Sequence, residues 1–273
     1  VGHVEWVQFA RVDHVPRAGE IAHAGPQFEE PAGGGAVVAV ALARLGASST
    51  LLTALGDDEL AARSLKRLQE LGVRVRAVTR DAPTRRAVTL IDPTGERTIT
   101  TIGPRLEPAG EDSGLGFGEL EGIDAVYFTA GDAAALRAAR GARVLIASPR
   151  ARSALEAQVT VDALILSSAD ASERGVAGAT DAELVIETAG AHGGTWRTRE
   201  GERGSWAATA PPGPIVDAYG CGDAFAAGVT YGLAARMDVE HAIALGARCA
   251  AVTISGQGPY GRELSPELVD AAV

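Results

Sequence analysis

Short β-rich runs alternate with helical stretches along most of this chain, and that alternation restricts the fold to a sheet built from βαβ units. The pattern predicts strands over residues 1–9, 49–54, 125–129, 144–147, 163–167 and 184–188. Residues 36–45 are apolar on nearly every side, as expected of a helix buried against a sheet, and Gly46 ends it. Asp57 and Asp58 cap a second helix, in which Leu60, Ala61, Ser64, Leu65, Leu68 and Leu71 make one face while Arg63, Lys66, Arg67 and Glu70 face water. A last long helix is predicted over about 239–254. One place breaks the alternation: residues 86–92 and 97–102 flank Pro93-Thr94-Gly95, which signals a hairpin. A second extended, polar stretch at 11–28 is interrupted by Pro16, Gly19 and Pro26.

With 273 residues, 46% of them hydrophobic, the chain can bury the core of one large α/β domain, and a second domain is not required. A formal net charge of −10 argues against a nucleic-acid or anionic-membrane surface. No run approaches the roughly 20 apolar residues of a membrane span, and no basic stretch precedes an apolar one at the start, so the expectation is a soluble, cytoplasmic protein. Cys221 and Cys249 are too few for a disulfide framework and lack metal-ligand spacing; each reads as a small packing residue, with a lowered thiol pKa the alternative for Cys221 at its helix start. Lys66 is the only lysine, and no Gly-x-x-x-x-Gly-Lys-Ser/Thr string exists, so a phosphate here must be held by backbone amides, arginine or metal. No Gly-x-Gly-x-x-Gly follows the first predicted strand, which counts against a nicotinamide-binding domain.

The run Asp217-Ala218-Tyr219-Gly220-Cys221-Gly222-Asp223 leads directly into an apolar helix. Gly220 and Gly222 let backbone N–H groups curl inward, and the positive end of the helix dipole adds to them, which suits a phosphate. A carboxylate at Asp223 would repel that phosphate unless it has another task, such as taking a proton from a hydroxyl that attacks phosphorus. A plain turn and helix start is the competing reading.

This run resembles the Asp-Thr-x-Gly-Ala-Gly-Asp signature of the ribokinase-like (PfkB) carbohydrate kinases, with Ala218 for Thr and Cys221 for Ala. The resemblance implies a three-layer α/β fold with a mostly parallel central sheet and a small β-sheet lid, formed here from about 10–28 and 86–102 of a single domain spanning 1–273. It implies Asp223 as catalytic base, an anion hole at Gly220, Cys221 and Gly222, and ATP with Mg²⁺ as the phosphoryl donor. Pro31 to Ala36 resembles the first family signature, placing Gly33 and Gly34 beside the acceptor together with Asp217. The hydroxyl-reading Asp and Asn of the family fall on Val7 and Val37, which points to a less polar acceptor such as a nucleoside; Glu5, on the face of Val7, is a partial substitute or an ion-paired strand residue.

On the nucleotide side, Thr188, Gly190 and Gly193 match the Thr-x-Gly-x-x-Gly loop that lines ATP phosphates, and Gly258 falls where the family closes its adenine pocket and often binds a monovalent cation. Asp170 stands in for the family glutamate that acts on magnesium through water, with a helix cap as the equal alternative. Homodimers through the lid are a further expectation. The rival reading is an inactive family member that senses a nucleotide or metabolite, motivated by Val7, Val37 and Ser167.

Overall fold

Side chains alternate across the central strands, and this decides how the layers stack. A computed structural model describes residues 1–270. The strands are β1 (Glu5–Arg11), β2 (Gln27–Ala32), β3 (Thr50–Leu55), β4 (Arg74–Thr79), β5 (Arg86–Ile91), β6 (Arg97–Ile102), β7 (Ala125–Phe128), β8 (Val144–Ala147), β9 (Val161–Ser167), β10 (Ala182–Thr188), β11 (Gly194–Thr198) and β12 (Arg203–Trp206). The helices are α1 (Gly34–Arg44), α2 (Glu59–Glu70), α3 (Ala133–Ala139), α4 (Arg152–Leu155), α5 (Ala171–Ala177), α6 (Cys221–Ala234), α7 (Val239–Thr253) and α8 (Glu267–Asp270). Ala163 and Ile165 of β9 pack with Phe225 and Val229 of α6 and Ile243 of α7, whereas Leu164 and Leu166 pack with Leu136 of α3 and Leu155 of α4. The period of two thus builds helix, sheet and helix layers from one strand.

The six strands run in the order β12-β11-β10-β9-β8-β7, parallel from β10 to β7, and β3 pairs parallel with β4. The start of the chain joins these two sheets: Val1 donates its amino N–H to Tyr127 O (2.8 Å) and accepts from Thr129 N (3.0 Å), and Gly2 N donates to Leu52 O (3.1 Å). The strand expected over 1–9 is therefore split in use. Its first residues bridge the main sheet, and from Glu5 it enters a separate four-stranded sheet, β2-β1-β5-β6.

That smaller sheet holds the expected hairpin, with Arg86 opposite Ile102 and Ile91 opposite Arg97. Asp92 Oδ1 organises its turn, accepting from Thr94 N (2.8 Å), Thr94 Oγ1 (2.6 Å) and Glu96 N (3.1 Å). The other contribution lies at 27–32 rather than within 11–28, since no strand forms between residues 12 and 26, where the prolines withhold N–H donors. At α2, Asp58 is the cap: its Oδ1 accepts from Ala61 N at 2.8 Å. Where α6 crosses α7, a Cβ on Gly228 would meet Gly246 Cα at 2.6 Å, so the two backbones are in direct contact and hold the start of α6 against the sheet.

Candidate active site

The start of α6 is fixed from behind before it presents anything forward. Val216 N and Asp217 N both donate to Ile254 O, at 2.9 and 3.2 Å. Asp217 is fully buried, its Oδ1 accepting from Tyr219 N and its Oδ2 from Gly258 N, both at 2.8 Å. Gly220 then turns the chain at φ +80°, and a Cβ there would stand 3.1 Å from Pro259 Cβ and 3.3 Å from Val37 Cγ1. Only glycine combines that φ with that crowding. Gly222, one residue into the helix, faces open space, and no side chain caps the helix. The first N–H groups of α6 are left without intrahelical acceptors, Cys221 N reaching only Ala218 O at 3.5 Å.

A second helix start meets the first. α1 begins after Gly33 (φ +90°), also without a side-chain cap, and a Cβ on Gly34 would lie 3.4 Å from Asp223 Oδ1. Two helix N-termini thus converge on one carboxylate, and both add positive potential there. Asp223 is half-buried; removal from solvent raises its pKa, Arg150 and then Arg97 oppose the rise, and Glu173 adds to it. Arg150 Nε pairs with Glu173 Oε1 at 3.2 Å, and Glu173 Oε2 accepts from Ser167 N at 2.9 Å. Arg150 follows β8, Glu173 follows β9 and Thr188 ends β10, so the site occupies the carboxyl ends of the parallel strands, the usual ligand crevice of such a sheet.

The small sheet covers this crevice. Ala218 N donates to Gly95 O at the hairpin tip (2.9 Å), and Arg11 Nη2 donates to Val216 O (2.8 Å). Phe28 stacks on Phe9 with centroids 4.5 Å apart and lies against Gly258, where a Cβ would come within 2.7 Å of the Phe28 ring.

Several expected site residues take other places. Asp217 is turned into the protein, each of its oxygens accepting from a buried main-chain amide. Asp170 caps α5, accepting from Ser172 N (2.9 Å) and Ser172 Oγ (2.6 Å); the buried acid that faces the site is Glu173, three residues on. Val7 and Val37, at 0% and 2% exposure, belong to the core with Phe9 and Tyr260. Trp6 turns away, under Arg63 at 4.2 Å from its ring. Glu5 is buried beside Arg85, its Oε2 3.4 Å from Nε, and burial raises its pKa. Gly258 spends its N–H on Asp217. In the 188–194 loop, Thr188 Oγ1 donates to Leu166 O (3.2 Å), Gly190 (φ +56°) faces open space, and Gly193 (φ +78°) lies against the Trp206 backbone. The Cys221 thiol is pushed up to about 12 by burial, reversing the expectation of a lowered value. Arg97, Arg150 and Glu173 escaped the sequence reading; the single lysine was the only hint that arginines carry the positive charge here.

The family model described as pfkB family carbohydrate kinase matches residues 1–130 and 151–264. Acarbose 7(IV)-phosphotransferase of Actinoplanes sp. is 40% identical over 90 residues, which cover 33% of this chain and 30% of that relative. The chain thus spans under a third of that relative's length in the match. ATP-dependent ribose-1-phosphate kinase of Halopiger xanaduensis is 28% identical over 282 residues, covering 94% of this chain and 91% of that one. Among solved structures, Thermotoga maritima ribokinase superposes with a TM-score of 0.78 at 19% identity, covering 99% and 97% of the two chains. A Burkholderia thailandensis nucleoside kinase in complex with inosine gives 0.78 at 21% identity, covering 99% and 94%.

Proposed function

Because the chain belongs to the pfkB family of carbohydrate kinases, we propose that it uses Asp223 as the general base that activates an acceptor hydroxyl for attack on the γ-phosphorus of ATP. The coarser activity follows from membership: ATP-dependent phosphotransfer to a sugar-like substrate. The observation that carries the assignment of the base is the meeting of two uncapped helix starts on the Asp223 carboxylate, where a Cβ on Gly34 would come within 3.4 Å of Asp223 Oδ1.

Each residue then has a separable task. Asp223 accepts the proton at its carboxylate; burial raises its pKa, which makes it a stronger base than an ordinary aspartate, and Arg150 opposes the rise. Gly33 and Gly34 let the acceptor approach the backbone closely. The N–H groups at Gly220, Cys221 and Gly222 stabilise charge on the transferring group, with Arg97 brought alongside by the hairpin. Thr188, Gly190 and Gly193 line the nucleotide phosphates. ATP supplies the phosphoryl group when bound, and its divalent ion, taken here as Mg²⁺, neutralises phosphate charge. Among the described residues no group of three or more His, Cys, Asp or Glu converges as a metal cage. An ion that keeps most of its waters suits such a site, with Glu173 and Asp170 as outer carboxylates.

The β2-β1-β5-β6 sheet acts as a lid that excludes water, since an open site would hydrolyse ATP. All six residues of β6 are exposed, which leaves an edge for pairing two copies. No helix among the described residues is long and apolar enough to cross a membrane. Replacing Asp223 by Asn should lower kcat by roughly 10²- to 10⁴-fold while ATP binding, followed by calorimetry, persists. Near wild-type turnover by that variant removes Asp223 from the role.

A further inference from the structure

Two tyrosines that the scheme above does not use join the start of α1 to the start of α6. Tyr260 follows α7 in a stretch already tied to the α6 turn, since Gly258 N donates to Asp217 Oδ2 at 2.8 Å. Its buried hydroxyl donates to Pro31 O, also at 2.8 Å. Pro31 lies opposite Trp6 on β2, the end strand of the small sheet. Trp6 spends its N–H on Arg85 O, on the β5 side, so in this antiparallel pair the Pro31 carbonyl faces the free edge of β2. The Tyr260 hydroxyl takes that edge position, three residues before α1 begins at Gly34.

Tyr219 grips the same turn from the other side. It stands in the glycine run that opens α6, 5% exposed, with its ring edge-on to Phe9 at 4.8 Å. Its hydroxyl is hydrogen-bonded to the main chain of Gly33, which turns at φ +90° into α1. The far end of α1 is tied to the Tyr260 stretch as well: Arg44 Nη2 donates to Tyr260 O (3.1 Å) and Nη1 to Arg262 O (3.3 Å). Burial raises the pKa of both phenols, so the two hydroxyls stay neutral at any working pH.

The apolar surroundings, Val7, Phe9 and Val37, would accept phenylalanine at either position, and a buried hydroxyl is costly unless it is bonded. What the hydroxyls add is direction: apolar packing is non-directional, whereas a hydrogen bond fixes distance and angle. Gly34 is where this precision counts, because a Cβ there would come within 3.4 Å of Asp223 Oδ1. A misplacement of about 1 Å at a reacting centre costs on the order of a hundredfold in rate. Resting on the kinase reading above, we propose that Tyr260 and Tyr219 are positioning residues for phosphoryl transfer, whose hydroxyls hold the α1 start at the spacing from Asp223 that the attack requires. Neither needs to touch substrate.

Tyr260→Phe removes one oxygen and keeps the ring. ADP release is followed with D-ribose, ribose 1-phosphate, inosine and adenosine, and the acceptor that wild-type protein turns over fastest is carried into the variants. kcat should fall about ten- to a hundredfold, with the KM values for ATP and acceptor within about threefold of wild type. Tyr219→Phe should behave likewise, and the double variant should lose less than the product of the two, since both hydroxyls hold one turn. The acid limb of the kcat profile is the second readout. Loosening α1 admits water to Asp223 and relieves the burial that raises its pKa, so the limb should move to lower pH. The groups that face Asp223 are unaltered in the variants: Arg150, Arg97, Glu173 and Glu5 among the charged ones, Tyr127 and Cys221 among the neutral. If Tyr260→Phe fails to fold, Tyr219→Phe carries both readouts. A lowered Tm with kcat within about twofold of wild type, a loss borne by KM alone, or a limb that stays in place overturns the inference and leaves the kinase reading standing. Wild-type protein that releases no ADP with any of the four acceptors removes both.

Discussion

Asp217 is placed as a clamp, and Asp217→Asn tests this with almost no change of shape. The carboxylate accepts from Tyr219 N and Gly258 N, both at 2.8 Å, in a fully buried setting. An asparagine has one oxygen, so whichever way its amide turns, an NH₂ faces a main-chain N–H. One hydrogen bond to a charged acceptor is lost, about 1.5–3 kcal/mol, and a buried donor is left unsatisfied, about 1–3 kcal/mol. Against this, the neutral side chain no longer buries a charge, a cost visible in the raised pKa of Asp217. The expected net loss is about 2–4 kcal/mol, or a fall in Tm of about 5–10 °C for a domain of this size. Calorimetry of the two proteins measures it, and steady-state kinetics should show the KM values for ATP and acceptor worsening together, because Gly258 and the Gly220 turn are both released. An unchanged Tm with a tenfold or greater rise in acceptor KM alone would show that Asp217 binds substrate, and the clamp reasoning would fail.

Arg150 holds the Asp223 pKa down and Glu173 pushes it up, so Arg150→Gln should move the acid limb of the rate profile to higher pH and Glu173→Gln to lower pH; shifts of the same sign would contradict the arrangement. The Cys221 thiol, protonated at pH 8 with its pKa pushed up to about 12, should react with iodoacetamide far more slowly than free cysteine, and rapid loss of activity on alkylation would show an ionised thiol instead.

What was legible in the sequence is what local rules control. The 86–102 hairpin, the Asp58 cap and the glycine turn before α6 each depend on a few consecutive residues, and each took its expected form. β4, β11 and β12 were not anticipated: β4 carries Arg74 and Arg76 among its apolar residues, and none of its six residues is buried. The site divides in the same way. Asp223 could be found because a carboxylate in an anion-binding turn is chemically incongruous, whereas Arg150 and Glu173 come from the ends of different strands and meet only through the sheet order. Asp170 and Glu173 lie in one short stretch with similar chemistry. Only the geometry of α5 decides that the first caps the helix and the second turns inward. Val7 and Val37 were read from local pattern as facing the acceptor, and their place in the core beside Phe9 and Tyr260 depends on how β1 and α1 pack, which no local rule gives.

The central claim is that Asp223 takes the proton, and a single-turnover rate of phosphoryl transfer measured against pH tests it most directly. Only the ionised carboxylate can act, so the rate should fall as pH drops through the Asp223 pKa. Burial raises that pKa, so the limb should lie above the ordinary aspartate value of about 3.9, and it should vanish in Asp223→Asn together with most of the rate. The same limb and a comparable rate in the variant would mean that another group is the base.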